Sequence, residues 1–146
     1  MWREKDITRV YRKGEVIINE GDAGREMFII KSGSVEVIKK KGNKKIILAT
    51  LERGDFFGEM ALLENLPRTA TVIAREVTHL LVLNIGSFLI KLKRDPTFAF
   101  NLMQKMSKRI RILNKKILKL SNMDKGDFSG IEFTIEKSEF LKAKDF

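Results

Sequence analysis

Cysteine is absent from this sequence. Disulfides, thiolate metal sites, Cys-ligated iron–sulfur clusters and cysteine nucleophiles are therefore excluded. Histidine occurs once, at His79. One imidazole without thiolates cannot build a metal site that needs several His ligands and a carboxylate. No nucleophile–base pair is visible either, so the sequence points away from an enzyme. No apolar run approaches the roughly 18 residues of a membrane span. The N-terminal stretch MWREKDITRV has no signal-peptide core, and a cytoplasmic protein is expected. Acids are missing locally, since residues 96–120 carry seven Lys or Arg and none of either acid.

Hydrophobic residues make up 43% of the 146 and charged residues 33%. That is the composition of one folded domain with a real core, not of a disordered chain. The net charge of +10 serves solubility or attracts an anionic ligand, membrane or nucleic acid. The last 26 residues reverse the balance, with six acids against four bases.

Short β-branched runs dominate the first half. ITRVY (7–11), EVIIN (15–19), EMFIIK (26–31), SVEVIKK (34–40), KKIILATL (44–51), TATVIA (69–74) and HLLVLN (79–84) are separated by Gly-containing turns. Val35 and Val37 alternate with Ser34 and Glu36. The other runs are more continuously apolar, the pattern of strands buried on both faces or lining a pocket. About seven or eight short antiparallel strands predict a jelly roll or sandwich. Gly14, Gly21, Gly33 and Gly54 are assigned to turns, and His79 to a strand with a satisfied side chain.

The period then changes. SFLIKLKRD (87–95) reads as a helix, and Pro96 opens a longer one over 96–120. Met103, Met106, Ile110, Leu113, Ile117 and Leu120 step by 3, 4, 3, 4 and 3. That is an a/d seam, with Ile at the later a and Leu at the later d sites, which favours a parallel two-stranded coiled coil. A homodimer through Met106, Ile110, Leu113, Ile117 and Leu120 is expected. The alternative is a helix packed on its own domain, and Ile112 and Leu118 lie off the seam. In the tail, Ile131, Phe133 and Ile135 alternate with Glu132, Thr134 and Glu136, predicting one strand, and a short helix from Ser138. Residues 1–120 thus read as one domain and 121–146 as a tail.

One stretch does not fit a strand: GDFFGEMALLENLPRTATV, residues 54–72. It places an acid after a glycine and an arginine after a proline, around an apolar turn. Together with YRKGEVIINEGDAGREMFIIKSGSVEV (11–37) and the long helix, LERGDFFGEMALLENLPRTATV (51–72) resembles the cyclic nucleotide-binding domain family. That family includes domains of the catabolite activator, protein-kinase regulatory subunit and cyclic nucleotide-gated channel types. The resemblance covers roughly residues 7–120. It implies a mainly β fold with flanking helices, a double-stranded β-helix or jelly roll followed by a long C-terminal helix. It implies no cofactor, and a ligand that is cyclic AMP or cyclic GMP.

Carried onto this sequence, the resemblance assigns the phosphate to Arg68, Thr69, Ala70, Met60 and Ala61, and the ribose to Gly58 and Glu59. The chemistry agrees. Gly58 admits close backbone approach. A short helix over Met60–Leu63 can offer unpaired N–H groups to an anion. Arg68 supplies a planar donor fork, and Glu59 can accept from a ribose hydroxyl. Thr69 adds a hydroxyl and an N–H. Glu59 can instead pair with Arg68 or a backbone N–H in an empty pocket. Alone, Arg68 reads equally as a surface arginine after a turn proline, and Glu59 as a first-turn helix acid. Val37, Leu48 and Ala49 match positions lining the base pocket, or serve as core. Leu113 and Asn114 match helix residues that reach the base, and Asn114 reads otherwise as a solvated polar residue. Thr69 suits the 2-amino group of guanine in some relatives. Cyclic AMP is the common ligand of bacterial-type members with a dimeric helix, so the resemblance favours it.

Two departures bear on output. Only about six residues precede the first strand, so the opening helices of the family are largely missing. No winged helix-turn-helix is expected in 121–146, which makes direct DNA binding unexpected and leaves the output partner open. The expected function is a cyclic mononucleotide sensor that couples phosphate binding to repositioning of a dimerising helix. The alternative is a degenerate domain that dimerises or scaffolds with an empty pocket.

Overall fold

The computed structural model describes residues 7–123. The predicted tail strand and short helix lie outside the described residues. Strands β1 (Ile7–Tyr11), β2 (Val16–Ile18), β3 (Met27–Ser32), β4 (Ser34–Lys41), β5 (Lys44–Glu52) and β6 (Phe56–Phe57) come first. They are followed by α1 (Glu59–Glu64), β7 (Thr71–Ala74), β8 (Thr78–Leu83), α2 (Ile85–Arg94) and α3 (Pro96–Met123).

All pairings are antiparallel, in two four-stranded sheets ordered β1-β8-β3-β6 and β2-β7-β4-β5. Except within the β4–β5 hairpin, successive strands cross from one sheet to the other. This wrapping makes a jelly roll, as the sequence predicts. Between the sheets, Ile18, Phe28, Ile30, Val35, Phe57, Val72, Leu80 and Val82 form one buried apolar cluster, on which Val37 and Leu51 pack. Phe28 stacks on Phe57 with ring centroids 5.0 Å apart.

Three expectations are corrected. Phe56–Phe57, read as part of a turn, pairs with Phe28 and Ile29 as a strand. Two aromatic residues are too few to show a period. Thr69 and Ala70 precede β7 and are not part of it. The apolar run of β5 is not buried on both faces, because Ile46, Ile47 and Leu48 are exposed. β5 stands at the end of its sheet.

Gly33 links β3 to β4 at φ +90°, and a Cβ there would lie 2.5 Å from both Thr78 Oγ1 and the Val77 carbonyl. Thr78 is fully buried. Its hydroxyl accepts from the Ser34 N–H at 3.2 Å and contacts the carbonyls of Ser34 at 3.1 Å and Glu76 at 2.9 Å.

α2 begins at a capping box. The Asn84 side chain accepts from Ser87 N–H, and the Ser87 hydroxyl accepts from Asn84 N–H. α2 and α3 are separated by Asp95 alone. Asp95 closes α2 through its N–H to the Lys91 carbonyl and opens α3 by accepting from Phe98 N–H at 3.0 Å. The chain divides into two units, Met1–Ala99 and Phe100–Phe146. The first holds the barrel, α1 and α2. On α3, Met103, Ile110, Leu113, Ile117 and Leu120 are exposed, and Met106 is half-buried. No described helix is long and apolar enough to cross a membrane.

Gly33→Ala combines left-handed backbone strain with a steric clash, and should destabilise by about 2–5 kcal/mol. Gly14→Ala has a similar φ but open space, and should cost only about 1–2 kcal/mol. Urea denaturation of both variants checks the difference. Equal losses would show that the clash at Gly33 relaxes.

Candidate functional site

The site is assembled where the 19–26 loop meets the segment that leads into β7. The Arg68 N–H donates to the Asp22 carbonyl at 2.9 Å, and the Arg68 carbonyl accepts from Gly21 N–H at 2.8 Å. Glu20 N–H donates to Thr71 Oγ1 at 3.0 Å. This loop therefore holds the Arg68 backbone from both sides before the sheet begins.

The side chain points inward. Arg68 is 8% exposed, which rules out the surface arginine that the sequence allowed. Its Nη1 donates to the Glu26 carbonyl at 2.8 Å and to the Gly58 carbonyl at 3.3 Å. The guanidinium carbon lies 5.9 Å from the ring centre of Phe28, at the outer limit of a cation–π contact. Both protein hydrogen bonds run through Nη1. No buried side-chain nitrogen or oxygen among the described residues lacks a hydrogen-bond partner. Nε and Nη2 donate to no acceptor among the described residues, so they keep some solvent access. The arginine is anchored by one nitrogen and presents the edge formed by the other two. That edge is the geometry for a bidentate oxyanion contact.

Burial lowers the Arg68 pKa from the ordinary guanidinium range, and the negative charge of Glu26 pulls it back. The residue stays cationic at neutral pH. The Glu26 carboxylate is held by Arg9 through two contacts, at 3.1 and 3.3 Å. This pair is exposed, and such pairs contribute roughly 0.2–1 kcal/mol. Its hydrogen bond to Glu26 raises the Arg9 pKa, against a smaller lowering by burial.

Two glycines make the room. Gly58, at φ +82°, is the N-cap of α1, and no side chain caps that helix. A Cβ at Gly58 would lie 2.9 Å from both Arg68 Nη1 and the Glu26 carbonyl. At Gly24 a Cβ would lie 2.7 Å from Nη2 and 2.8 Å from Nε. Gly24 is not in the left-handed region, so close approach and not backbone freedom requires glycine there. α1 ends at Asn65, whose φ of 55° is the left-handed conformation an Asn tolerates.

The structure thus brings Gly58, Glu59, Met60, Ala61 and Arg68 to Ala70 to one end of the barrel. Glu59 is half-buried in the first turn of α1, Met60 is exposed and Ala61 is buried. Thr69 is exposed and Ala70 half-buried. From this segment β7 pairs with β4, Ile38 opposite Thr71 and Val37 opposite Val72. Val37 also pairs with Ala49 on β5, and Leu48 is the extra residue of a bulge before the Ile38–Ile47 pair. Val37 packs on the cluster that contains Phe28. Ala49 is half-buried, and Leu48 is exposed. Leu113 and Asn114 are exposed on α3, in the second unit.

Sequence reasoning missed Gly24, Glu26 and Phe28. The available signal was Gly24 itself, a second glycine in a loop already turned by Gly21. His79 is exposed, with Nδ1 3.0 Å from Ser32 Oγ. Among the described residues no cluster of three or more His, Cys, Asp or Glu could hold a metal ion.

The domain is thus a jelly roll carrying a buried arginine with a free edge, beside an uncapped helix start and a glycine-lined approach. The family model for the cyclic nucleotide-binding domain matches residues 8–95, and the chain belongs to that family. It is 36% identical over 104 residues to the cyclic AMP receptor protein of Thermus thermophilus, a match covering 70% of this chain and 48% of that protein. It is 39% identical over 107 residues to a cGMP-dependent protein kinase of Toxoplasma gondii, covering 73% of this chain and 10% of that one. The crystal structure of Thermus thermophilus catabolite activator protein superposes with a TM-score of 0.70 at 33% identity, covering 80% of this chain and 55% of that one. The chain spans less than half the length of these curated relatives.

Gly24→Ala forces the flexible end of Arg68 aside and not the backbone. It should weaken cyclic nucleotide binding by one charge-assisted hydrogen bond, about 1.5–3 kcal/mol, while the thermal midpoint changes little. Calorimetry paired with a thermal melt checks this. Lost folding with no separate affinity defect would show that Gly24 serves the loop alone.

Proposed function

We propose that this cyclic nucleotide-binding domain is a regulatory sensor module, not a catalyst. It binds a 3′,5′-cyclic mononucleotide, cyclic AMP in preference to cyclic GMP, and converts phosphate binding into repositioning of α3. The carrying observation is Arg68: buried, anchored by Nη1 on two carbonyls, with its remaining edge open. The phosphodiester carries one negative charge and two free oxygens, which suit that edge. The first-turn N–H groups of α1 at Met60 and Ala61 and the Thr69 hydroxyl complete the phosphate contacts. Glu59 and Gly58 take the ribose. Val37, Leu48 and Ala49 face the base, with Leu113 and Asn114 as candidates for its far edge.

Repositioning has a place to occur. α2 and α3 are joined by one residue, Asp95, at φ −132° and ψ 83°, and α3 starts at a proline. Two states of α3 must differ in nucleotide affinity for this to act as a switch. Slower hydrogen exchange in 96–120 on nucleotide addition is the expected signature.

Dimerisation follows from the exposed seam. With Ile110 and Ile117 at a and Leu113 and Leu120 at d, the e positions are Ser107, Asn114 and Ser121, and the g positions Leu102, Arg109 and Lys116. In a parallel pair each g cation meets a neutral e residue. An antiparallel pair would set Arg109 against Lys116. Charge therefore supports the parallel arrangement despite a helix rich in bases. The cytoplasm is the proposed compartment.

Arg68→Ala should reduce cyclic AMP affinity by about 2–5 kcal/mol with the fold retained, because it leaves a buried phosphate charge unpaired. Glu59→Ala should cost less, since it removes a contact to a neutral hydroxyl. Calorimetric titrations with cyclic AMP and cyclic GMP, on wild type, Thr69→Ala and Asn114→Ala, test the ligand and its selection. Absence of any heat with the wild type would leave the empty-pocket scaffold as the reading. Tighter cyclic GMP binding that is lost in Thr69→Ala would reverse the nucleotide preference.

Light scattering tests the dimer separately. The wild type should be dimeric at micromolar concentration, and the double variant Ile110→Asp with Ile117→Asp monomeric. A monomeric wild type, with and without nucleotide, would refute the helix pairing.

A further inference from the structure

The β4–β5 hairpin takes no part in the phosphate site at its tip, and it breaks a local rule. Lys40 stands opposite Lys45 and Lys41 opposite Lys44 in the register. Like charges directly opposite on neighbouring strands destabilise a sheet. The stretch from 37 to 51 carries five lysines and no acid. Lys39 reaches Glu20 at 3.8 Å and Lys45 reaches Glu36 at 3.5 Å. Lys40, Lys41 and Lys44 have no anionic partner among the described residues. Beside them, Ile46 and Ile47 are 43% and 56% exposed. Lys44, Ile46 and Ile47 lie on β5, a nine-residue strand with a neighbour on one side only, and Lys40 and Lys41 end β4 beside it.

Lysines and the bulge at Leu48 guard this edge against indiscriminate pairing. β5 is nevertheless long, and it shows two adjacent isoleucines. Its lysines repel another lysine-rich edge, which disfavours pairing with a second copy, while admitting a strand of opposite charge. We propose that the outer edge of β5 is a docking site for an extended acidic polypeptide segment that adds to the sheet as a further strand. Acids beside Lys44 and Lys45, followed by β-branched residues beside Ile46 and Ile47, would match both faces of this edge.

Other polyanions fit less well. A membrane-inserting hairpin places apolar residues at its tip, and here the tip is Lys41-Gly42-Asn43-Lys44. A nucleic-acid surface uses arginine and stacking aromatics, and residues 34–52 contain neither. The two isoleucines would have no partner in a phosphate backbone. This surface does not use the phosphate site, although β5 also carries Leu48 and Ala49 of the proposed base pocket.

The test uses the full chain and a labelled nine-residue peptide in which pairs of glutamates alternate with pairs of valines, followed by fluorescence anisotropy and hydrogen exchange. Binding should be at least tenfold tighter than for a lysine–valine counterpart, and should weaken with salt. It should slow exchange of amides within 44–52. A peptide of the same charge with a central proline should bind at least tenfold more weakly, because proline cannot continue a ladder. The triple variant Lys40→Gln, Lys41→Gln and Lys44→Gln should lose at least tenfold in peptide affinity with unchanged cyclic AMP binding, which also reports its folding. Equal binding of the proline peptide would overturn strand addition. Tighter binding of a single-stranded oligonucleotide or of phosphatidylserine vesicles would overturn the peptide assignment. Protection of 44–52 that grows with protein concentration and without peptide would identify a second copy of the chain as occupant and refute the proposal. Absence of peptide binding at low salt would do so as well.

Discussion

A single cation held inside the barrel governs the layout of this domain. Arg68 gives up most of its hydration, and the surroundings replace only part of it. Two backbone carbonyls take one nitrogen, and the guanidinium carbon lies 5.9 Å from the centre of the Phe28 ring. The remaining edge is unmet by protein. Removing a charge from water is costly unless it is paired and hydrogen-bonded. The open edge is therefore where an anion would most improve the electrostatics of this site. Local features follow from this demand. Gly24 and Gly58 lack side chains because the guanidinium occupies that space, and Gly21 and Asp22 grip the Arg68 backbone so that the side chain has one direction to take.

The rest of the barrel is a means of bringing that arginine against distant residues. Arg68 is 42 residues from Glu26 in sequence, yet 2.8 Å from its carbonyl. The alternation of successive strands between two sheets makes this approach possible. β3, which follows Glu26, and β7, which follows Arg68, lie on opposite sheets across the Phe28–Phe57 core. The Arg68 side chain thus ties the segment leading into one sheet to the start of a strand in the other.

Charge is distributed with similar economy outside the pocket. On α3 the bases avoid the positions that would face each other in a parallel pair. On the β4–β5 hairpin, by contrast, lysines are set opposite lysines. The first pattern removes repulsion, and the second retains it. A fold tolerates such a local conflict where a partner or ligand resolves it, which distinguishes these two basic surfaces despite their similar composition.

Much of the fold was legible in the sequence. Seven β-branched runs, the short helix after Gly58 and the change of period at residue 85 or so all correspond to elements, because strand and helix periods are local properties. The boundaries moved by one to three residues, since caps such as Asn84 and Asp95 act through side-chain geometry. Gly58, Glu59 and the Arg68 to Ala70 segment were also legible, as residue types whose chemistry is visible in order. Three things were decided by tertiary structure alone. Arg68 is buried, where its neighbours in sequence allowed a surface residue. Gly24, Glu26 and Phe28 belong with it, though they lie 40 to 44 residues away. The apolar run of β5 is exposed, because its place at a sheet end leaves nothing to cover it. Local pattern records what a segment can form. Which faces meet, and which charge is left without water, depends on pairings between distant segments that only the folded chain creates.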